Sequence, residues 1–348
     1  MPHPEDKIYL NALNVLFANN FSTLFSLLST EKSAKQIWDS LSSPQRRNID
    51  PLIEWRRLKE NKIDFILKAD KEYPKLLKEI SYAPFGLYVK GKVPNEMPAI
   101  AVVGTRKVSS YGKLVTEKLV QELVQYNFTI ISGLAYGVDS IAHQTVLENR
   151  GQTIAVLGSG INNIFPSINK KLAQDITKDG ALISEYSSQA PALKQYFPWR
   201  NRIISGLCLA TIVIEAPEKS GALITARFAL DQDREVFAIP GSIFSKNSIG
   251  PHNLIKQGAK LVSQVEDILE ELNIQYSLPI IKDAPDLKFD SKEEEKIYQL
   301  LSKANPLPID KIIESSNLSP KEVLAILSFL ELKGFIKNID GSNYVKQI

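Results

Sequence analysis

Five short stretches combine glycine with hydroxyl, cationic or aromatic side chains directly after, or between, apolar runs. GTRKVSSYG (104–112) follows one such run. Gly104 permits a sharp exit from a strand. Thr105, Ser109 and Ser110 supply hydroxyls, Arg106 and Lys107 supply fixed charge, and a helix-length stretch follows. A helix N-terminus adds free N–H groups and a positive dipole end, so the ligand this suits is a phosphate. The same residues also describe a helix cap with two solvated cations, and both readings stand. EAPEKSGALITARFAL (215–230) repeats the logic, with Lys219, Ser220 and Gly221 between a strand end and a helix start. It lacks the G-x-x-x-x-G-K-[ST] spacing of a P-loop, so ATP hydrolysis is not indicated.

YFPWRNRIISGL (196–207) sets Tyr196, Phe197 and Trp199 beside Arg200 and Arg202. Cations interleaved with aromatics suit phosphates plus stacked bases. The competing reading is aromatic core plus structural ion pairs. SGLAYGVDSIAH (132–143) holds Gly133, Gly137 and Asp139, with His143 four residues beyond the aspartate. An Asp–His pair can serve catalysis, but no G-x-S-x-G elbow accompanies it, so a capped helix is the favoured reading. LGSGINNIFP (157–166) has Gly158 and Gly160 but Asn163 where a dinucleotide fingerprint needs its third glycine. Its glycines mark a place of close backbone approach.

These loops need a frame. AIAVVG (99–104), FTIISG (128–133), TIAVLG (153–158), ALISE (181–185), TIVIEA (211–216) and EVFAIPG (235–241) are near-continuous apolar runs closed by turn residues. Amphipathic, helix-length stretches separate them. That alternation predicts a parallel sheet covered on both faces: an α/β, Rossmann-like, doubly wound domain. In such a sheet ligands bind beyond the carboxyl ends of the strands, where the five stretches fall. Residues 1–62 show helical apolar spacing (Tyr9, Leu13, Leu16, Phe17) and predict a helical domain. The sheet domain is assigned 63–272, and the proline-bearing, aperiodic 273–290 a linker. Residues 291–348 read as three helices and a hairpin with an Asp-Gly turn, the pattern of a winged helix.

Composition excludes several classes. The 348 residues carry 42 Lys and Arg against 39 Asp and Glu, a net +3, so any basic site must arise by clustering. A single cysteine, Cys208, forms no internal disulfide and no cysteine-rich zinc site. No metal or cofactor site is expected. The opening MPHPEDKIYL lacks the pattern of a signal peptide, and no run of 18 apolar residues is present, so no membrane association and a cytoplasmic location are expected.

The ordered series GTRKVSSYG, SGLAYGVDSIAH, TIAVLGSGINNIFP, ISEY, FPWRNRIISGL, EAPEKSGALITA and VFAIPG resembles the DNA-processing protein A (DprA/Smf) family over roughly residues 70–268. The resemblance implies an extended Rossmann fold that binds single-stranded DNA, dimerises and loads the RecA recombinase in natural transformation, without enzymatic activity. It also implies a sterile-alpha-motif-like helical domain in front and a winged helix behind. By motif, the family's phosphate-gripping arginine falls on Arg106 and its KSG lysine on Lys219; backbone near Ser220, Gly221 and Gly133 completes the pocket. The sequence departs from the family at Ala222, where many members carry serine, and its N-terminal region lacks a clear glycine-bearing hairpin. Together with the residue readings this gives Gly104, Thr105, Arg106, Ser109, Gly133, Arg200, Arg202, Lys219, Ser220 and Gly221 as the candidate DNA-binding set.

Two other functions carry sequence requirements of their own. A nucleotide-binding or nucleotide-hydrolysing enzyme related to the phosphoribohydrolases needs a PGGxGTxxE motif, and APEKSGALITA lacks its glutamate. A dehydrogenase needs a complete dinucleotide fingerprint, which is absent. In the tail, 291–348, eight lysines balance eight acidic residues, and SPKEVLAILSFLELKG has little to offer a DNA backbone. A protein-contact or regulatory module is therefore favoured there.

Overall fold

A computed structural model describes residues 4–18, 20–30, 32–46, 49–93, 98–274, 289–302, 306–339 and 342–346. They form two compact units that divide at residues 279/280.

The first unit opens with helices α1 (Pro4–Leu16), α2 (Phe21–Leu28), α3 (Ala34–Ser40), α4 (Ser43–Arg46) and α5 (Pro51–Glu60). Local chemistry sets their starts. Ser33 and Gln36 exchange hydrogen bonds in a capping box, and Asp50 accepts from the Leu52 and Ile53 N–H groups ahead of Pro51. Then come β1 (Asp64–Leu67), α6 (Lys75–Glu79), β2 (Gly86–Gly91), β3 (Ala99–Val103), α7 (Ser110–Gln125), β4 (Thr129–Ser132), α8 (Val138–Glu148), β5 (Thr153–Val156), α9 (Lys170–Asp179) and β6 (Ala181–Ser184). The unit closes with α10 (Tyr196–Gly206), β7 (Ala210–Val213), α11 (Gly221–Asp231), β8 (Glu235–Ala238), α12 (Ile249–Lys256), β9 (Lys260–Leu261) and α13 (Val265–Glu271).

Nine strands make one sheet in the order β1-β2-β6-β5-β4-β3-β7-β8-β9. All six apolar runs are strands in it. From β6 to β9 every pairing is parallel, as in Ile100↔Ile130 and Ile100↔Ala210. The six expected strands form the parallel sheet, and one edge of it is extended by β2, which runs antiparallel to both β6 and β1. Strands β4 to β7 are buried on both faces, which explains apolar runs without alternation. Ala101, Val103, Ile131 and Val213 face one layer with Ile203, Ile204, Ala222 and Ala226 of α10 and α11. Ile100, Val102, Ile130 and Ile212 face the other with Leu119, Leu123, Ala142 and Val146 of α7 and α8. Each such valine, leucine or isoleucine withdrawn from water contributes on the order of 1.5–3 kcal/mol.

The boundary expected at residue 62 falls inside a continuous core. Leu10, Leu13, Ile37 and Trp38 of the leading helices pack in one cluster with Phe65, Tyr88, Leu157 and Ile176. Tyr88 Oη donates to Asn11 Oδ1 at 2.8 Å across it.

The second unit contains α14 (Lys292–Leu300), β10 (Leu307–Pro308), α15 (Ile309–Ser316), α16 (Pro320–Leu332), β11 (Ile336–Asn338) and β12 (Asn343–Lys346). Its three strands pair in the order β10-β12-β11 over a core of Ile297, Ile312, Val323, Leu327 and Tyr344. Three helices and this small sheet are a winged helix. The expected Asp340-Gly341 turn, and most of the expected linker 273–290, lie outside the described residues.

Candidate functional site

The chain builds the sheet outward in one direction from β3 to β6, then returns to place β7 on the other side of β3. Such a reversal leaves a crevice beyond the carboxyl ends of the two strands, because their connections leave in opposite directions. A cavity of about 360 Å³ opens there. Its wall comes from the loop after β3 (Gly104, Thr105, Arg106), the loop after β4 and the first turn of α8 (Ala135, Asp139), helix α10 (Phe197, Arg200, Asn201) and the β7–α11 junction (Lys219, Ser220, Gly221).

Seven of the ten expected residues thus line one pocket: Gly104, Thr105, Arg106, Arg200, Lys219, Ser220 and Gly221. An added Cβ on Gly104 would press on Val138 of α8, so glycine lets the strand end approach that helix. The Thr105 hydroxyl accepts from the Lys107 N–H at 3.1 Å and fixes the turn that presents Arg106. Ser220 caps α11, its Oγ accepting from the Ala222 N–H at 3.3 Å. A Cβ on Gly221 would meet nothing within 4 Å, so backbone is open to the cavity at the positive end of an 11-residue helix. Arg106 and Lys219 are exposed, and no salt bridge engages either among the described residues.

Arg200 plays a different part. It is buried, with Nη1 donating to Gly133 O at 2.8 Å and to Val156 O, and Nε donating to Asn201 Oδ1 at 3.2 Å. Burial lowers its pKa to about 10, opposed by Asp139 and reinforced by the charge of Arg106. Burial pushes the Asp139 carboxyl up, while Arg200 and the N–H groups of Ala135 and Gly133 hold it down. Arg200 Nη2 and Asp139 Oδ2 flank Gly133 in the cavity wall, and each charge favours the other.

Three expected residues stand outside the pocket. Arg202 is 1% exposed, and its Nη2 donates to Glu185 Oε1 at 2.6 Å while its guanidinium lies 4.5 Å from the Trp199 ring centroid. That corrects its assignment as a DNA contact: the interior holds it. Two residues along a helix turn the side chain about 200°, so Arg200 and Arg202 face opposite ways. Gly133 is buried; an added Cβ would meet Arg200 Nη2 at 2.7 Å and Asp139 Oδ2 at 2.8 Å, so it makes room for that pair. Ser109 caps α7 by accepting from the Gly112 N–H at 3.1 Å and donates to Glu215 Oε1 at 2.6 Å.

The other sequence features also find places. Asp139 and His143 do not pair. Asp139 accepts from the Gly133 N–H at 3.1 Å, whereas His143 Nδ1 lies 2.7 Å from Thr153 Oγ1. The loop at 157–166 packs instead against 187–190, where a Cβ on Gly160 would strike the Ser187 and Ser188 carbonyls. Of the aromatics, Phe197 reaches the cavity and Trp199 turns inward with Arg202.

Glu215 was not among the expected residues, yet it organises the crevice. Buried at the end of β7, it accepts from Ser109 N at 2.9 Å and from Asn247 Nδ2 at 3.2 Å, so three loops meet on one carboxylate. Asn201 was missed as well; its Nδ2 donates to Gly221 O at 3.1 Å and ties α10 to the start of α11. The available signal was a charged residue closing an otherwise apolar strand, TIVIEA, since a buried charge needs partners. Among the described residues no group of three or more His, Cys, Asp or Glu side chains could hold a metal ion, and no helix is long and apolar enough to cross a membrane.

A mostly parallel sheet covered on both faces, with an anion-suited crevice at its reversal point, defines a Rossmann-type α/β protein with a winged helix as a second unit. Residues 64–273 match the profile of DNA recombination-mediator protein A, and 282–342 match that of the DprA winged helix domain. The chain belongs to the DNA recombination-mediator protein A (DprA/Smf) family. It is 39% identical over 330 residues to Protein Smf of Escherichia coli, covering 92% of this chain and 86% of that one. It is 43% identical over 226 residues to DNA processing protein DprA of Bacillus subtilis, covering 64% and 76%. The solved DprA of Streptococcus pneumoniae matches with a TM-score of 0.62 at 37% identity, covering 78% of this chain and 99% of that one. DNA processing protein A of Helicobacter pylori, solved in a study of its single-stranded DNA binding mode, matches with a TM-score of 0.55 at 28% identity, covering 62% and 98%.

Proposed function

We propose that the crevice holds the phosphate backbone of single-stranded DNA, and that the protein acts by binding and handing on that strand rather than by cutting it. One observation carries the reading: Arg106 and Lys219, exposed and without a carboxylate partner among the described residues, share a pocket with the open backbone at Gly221. Backbone N–H groups, a helix start and two cations recognise phosphate, not base identity. Gly104, Thr105 and Ser220 shape the pocket; Arg200 with Asp139, and Gly133, support its wall. The one carboxylate there, Asp139, is engaged by two backbone N–H groups and faces Arg200, an arrangement that suits structure better than hydrolysis. The single-stranded DNA binding of the Helicobacter pylori relative agrees with this reading.

Two finer parts complete the proposal. In a DprA-type role in the cytoplasm the strand passes to the RecA recombinase, and the protein works as a homodimer. The edge strand β9 and its neighbourhood are suited to pairing, with Leu261 and Ile249 partly exposed. The winged helix serves as a protein-contact module. Its α16 exposes Leu324, Phe329 and Leu332 and presents few cations. The test is equilibrium binding of a hairpin-free single strand and its blunt duplex across salt concentrations. Tighter binding of the single strand, with a negative salt slope, is expected; equal affinity sinks the reading. Sedimentation at micromolar concentration should give a mass of two chains.

A further inference from the structure

Phe244 is 92% exposed, the most exposed large apolar side chain among the described residues, and its neighbour Ile243 is 80% exposed. Both sit on the loop between β8 and α12, at the carboxyl edge of the sheet that carries the crevice. The loop is well tied. Ser245 N donates to Ser242 O at 3.0 Å and Phe244 N to Ser242 Oγ at 3.3 Å, a turn with both apolar side chains at its tip. Tyr111 Oη donates to Pro240 O at 2.6 Å, and the Tyr111 ring edge lies near Gly241. Asn247 Nδ2 donates to Lys107 O at 3.2 Å and also to Glu215, so this loop is fastened to the one that presents Arg106. Lys107 directly follows Arg106, and Lys246 directly precedes Asn247; both are exposed, and no salt bridge engages either among the described residues.

We propose that Tyr111 and Phe244, flanked by Lys107 and Lys246, form a second station on which bases of a single strand stack once its backbone has left the phosphate pocket past Arg106. This rests on the reading of the pocket as a single-strand site. Aromatic faces accept any base, and the neighbouring cations follow the backbone, so such a station lengthens the footprint without adding sequence preference. Charge decides between this occupant and a second copy of the chain. A self-complementary contact here would bring Lys107 and Lys246 against their own mates, where like charges oppose association; a polyanion is drawn to them.

The test uses the full chain and two oligonucleotides carrying 2-aminopurine: about four nucleotides, enough for the pocket, and about sixteen, enough to reach beyond it. In Phe244→Ala the long strand should bind about tenfold more weakly, the short one as in wild type, with the salt slope and melting temperature unchanged. Quenching of 2-aminopurine outside the pocket should disappear, and Phe244→Trp should restore both affinity and quenching. Wild-type affinity of Phe244→Ala for the long strand overturns the station while leaving the pocket intact, provided Arg106→Ala/Lys219→Ala still weakens binding and lowers the salt slope. Loss of dimer mass in Phe244→Ala with unchanged DNA affinity assigns the tip to a contact between copies and overturns the proposal equally. Failure of the wild type to bind any single strand refutes the pocket reading instead, and this one with it.

Discussion

Replacing Arg106 and Lys219 together by alanine tests the crevice most directly. Each residue is exposed, lines the cavity and lacks an ion-pair partner among the described residues. Each phosphate neutralised on a single strand contributes about 0.7 to the slope of log affinity against log salt, so losing two contacts lowers the slope by about 1.4. Between 50 and 200 mM salt that corresponds to about sevenfold: wild-type affinity should fall roughly seven times further than the variant's over this span. All sequences should weaken alike, because phosphate contacts do not read bases. Stability should hold within about 0.5 kcal/mol, as for surface substitutions away from packed or paired groups. Arg202→Ala is the contrast. It strands Glu185 in the interior and should cost on the order of 3–5 kcal/mol of stability. The assay is fluorescence anisotropy at four or more salt concentrations, alongside thermal melts. A folded double variant with wild-type affinity and an unchanged slope would show these cations to be capping-region surface charges and nothing more.

Three further outcomes follow from the geometry. His143 is buried, and burial, with Arg200 adding to it, lowers its pKa to about 3. Thr153 Oγ1 donates to Ile130 O, so His143 Nδ1–H donates to Thr153, and Nε2 is left without a proton or a partner. The folded state therefore binds this proton less readily than the unfolded chain: stability is full above about pH 6.5 and falls by about 1.4 kcal/mol per pH unit as acid approaches pH 3. Urea unfolding from pH 7 to 4 should show that slope reduced in His143→Gln. Gly137 sits at φ +75°, and an added Cβ would collide with the Thr105 carbonyl and Arg106 backbone. Gly137→Ala should cost about 1–3 kcal/mol and weaken DNA binding with it, whereas Gly258→Ala, at φ +104° in open space, should strain the backbone and leave binding unchanged. Removing residues 288–348 should change single-strand affinity less than tenfold, about 1.4 kcal/mol, because the winged helix closes its own core and carries balanced charge; a larger loss from a folded protein would show that it contacts the strand.

The sheet was legible because each central strand is buried on both faces, and that leaves an uninterrupted apolar run ended by a turn residue. The extent of the first core was not. An apolar stripe on α1 says that something covers Leu10 and Leu13, but not that Phe65 and Tyr88 lie in the same cluster. Likewise the antiparallel place of β2 between β1 and β6 depends on pairings far apart in sequence. The site divides in the same way. Residues that act through backbone and helix starts, such as Gly104, Ser220 and Gly221, announce themselves by position after a strand. Glu215 and Asn201 act by joining segments, and which segments meet is a property of the fold.

The two arginines of α10 show why charge counting alone misleads at such a site. A cation contributes to a ligand only what its neighbours have not already neutralised. Arg202 is spent on Glu185 in the interior, and Arg200 faces Asp139 while its N–H groups hold Gly133 and Val156. Removing Arg202 leaves the buried Glu185 without its counter-charge, and removing Arg200 leaves the Gly133 and Val156 carbonyls without their donor, which damages the wall rather than subtracting a contact. Arg106 and Lys219 stand at loop positions just before helix starts, where their side chains reach water. Their cost of holding charge is small, and their field meets the backbone N–H groups of α11 across the cavity. Variants at α10 should therefore lose binding and melting temperature together, and variants at Arg106 or Lys219 binding alone. That division separates the residues that build the crevice from those that use it.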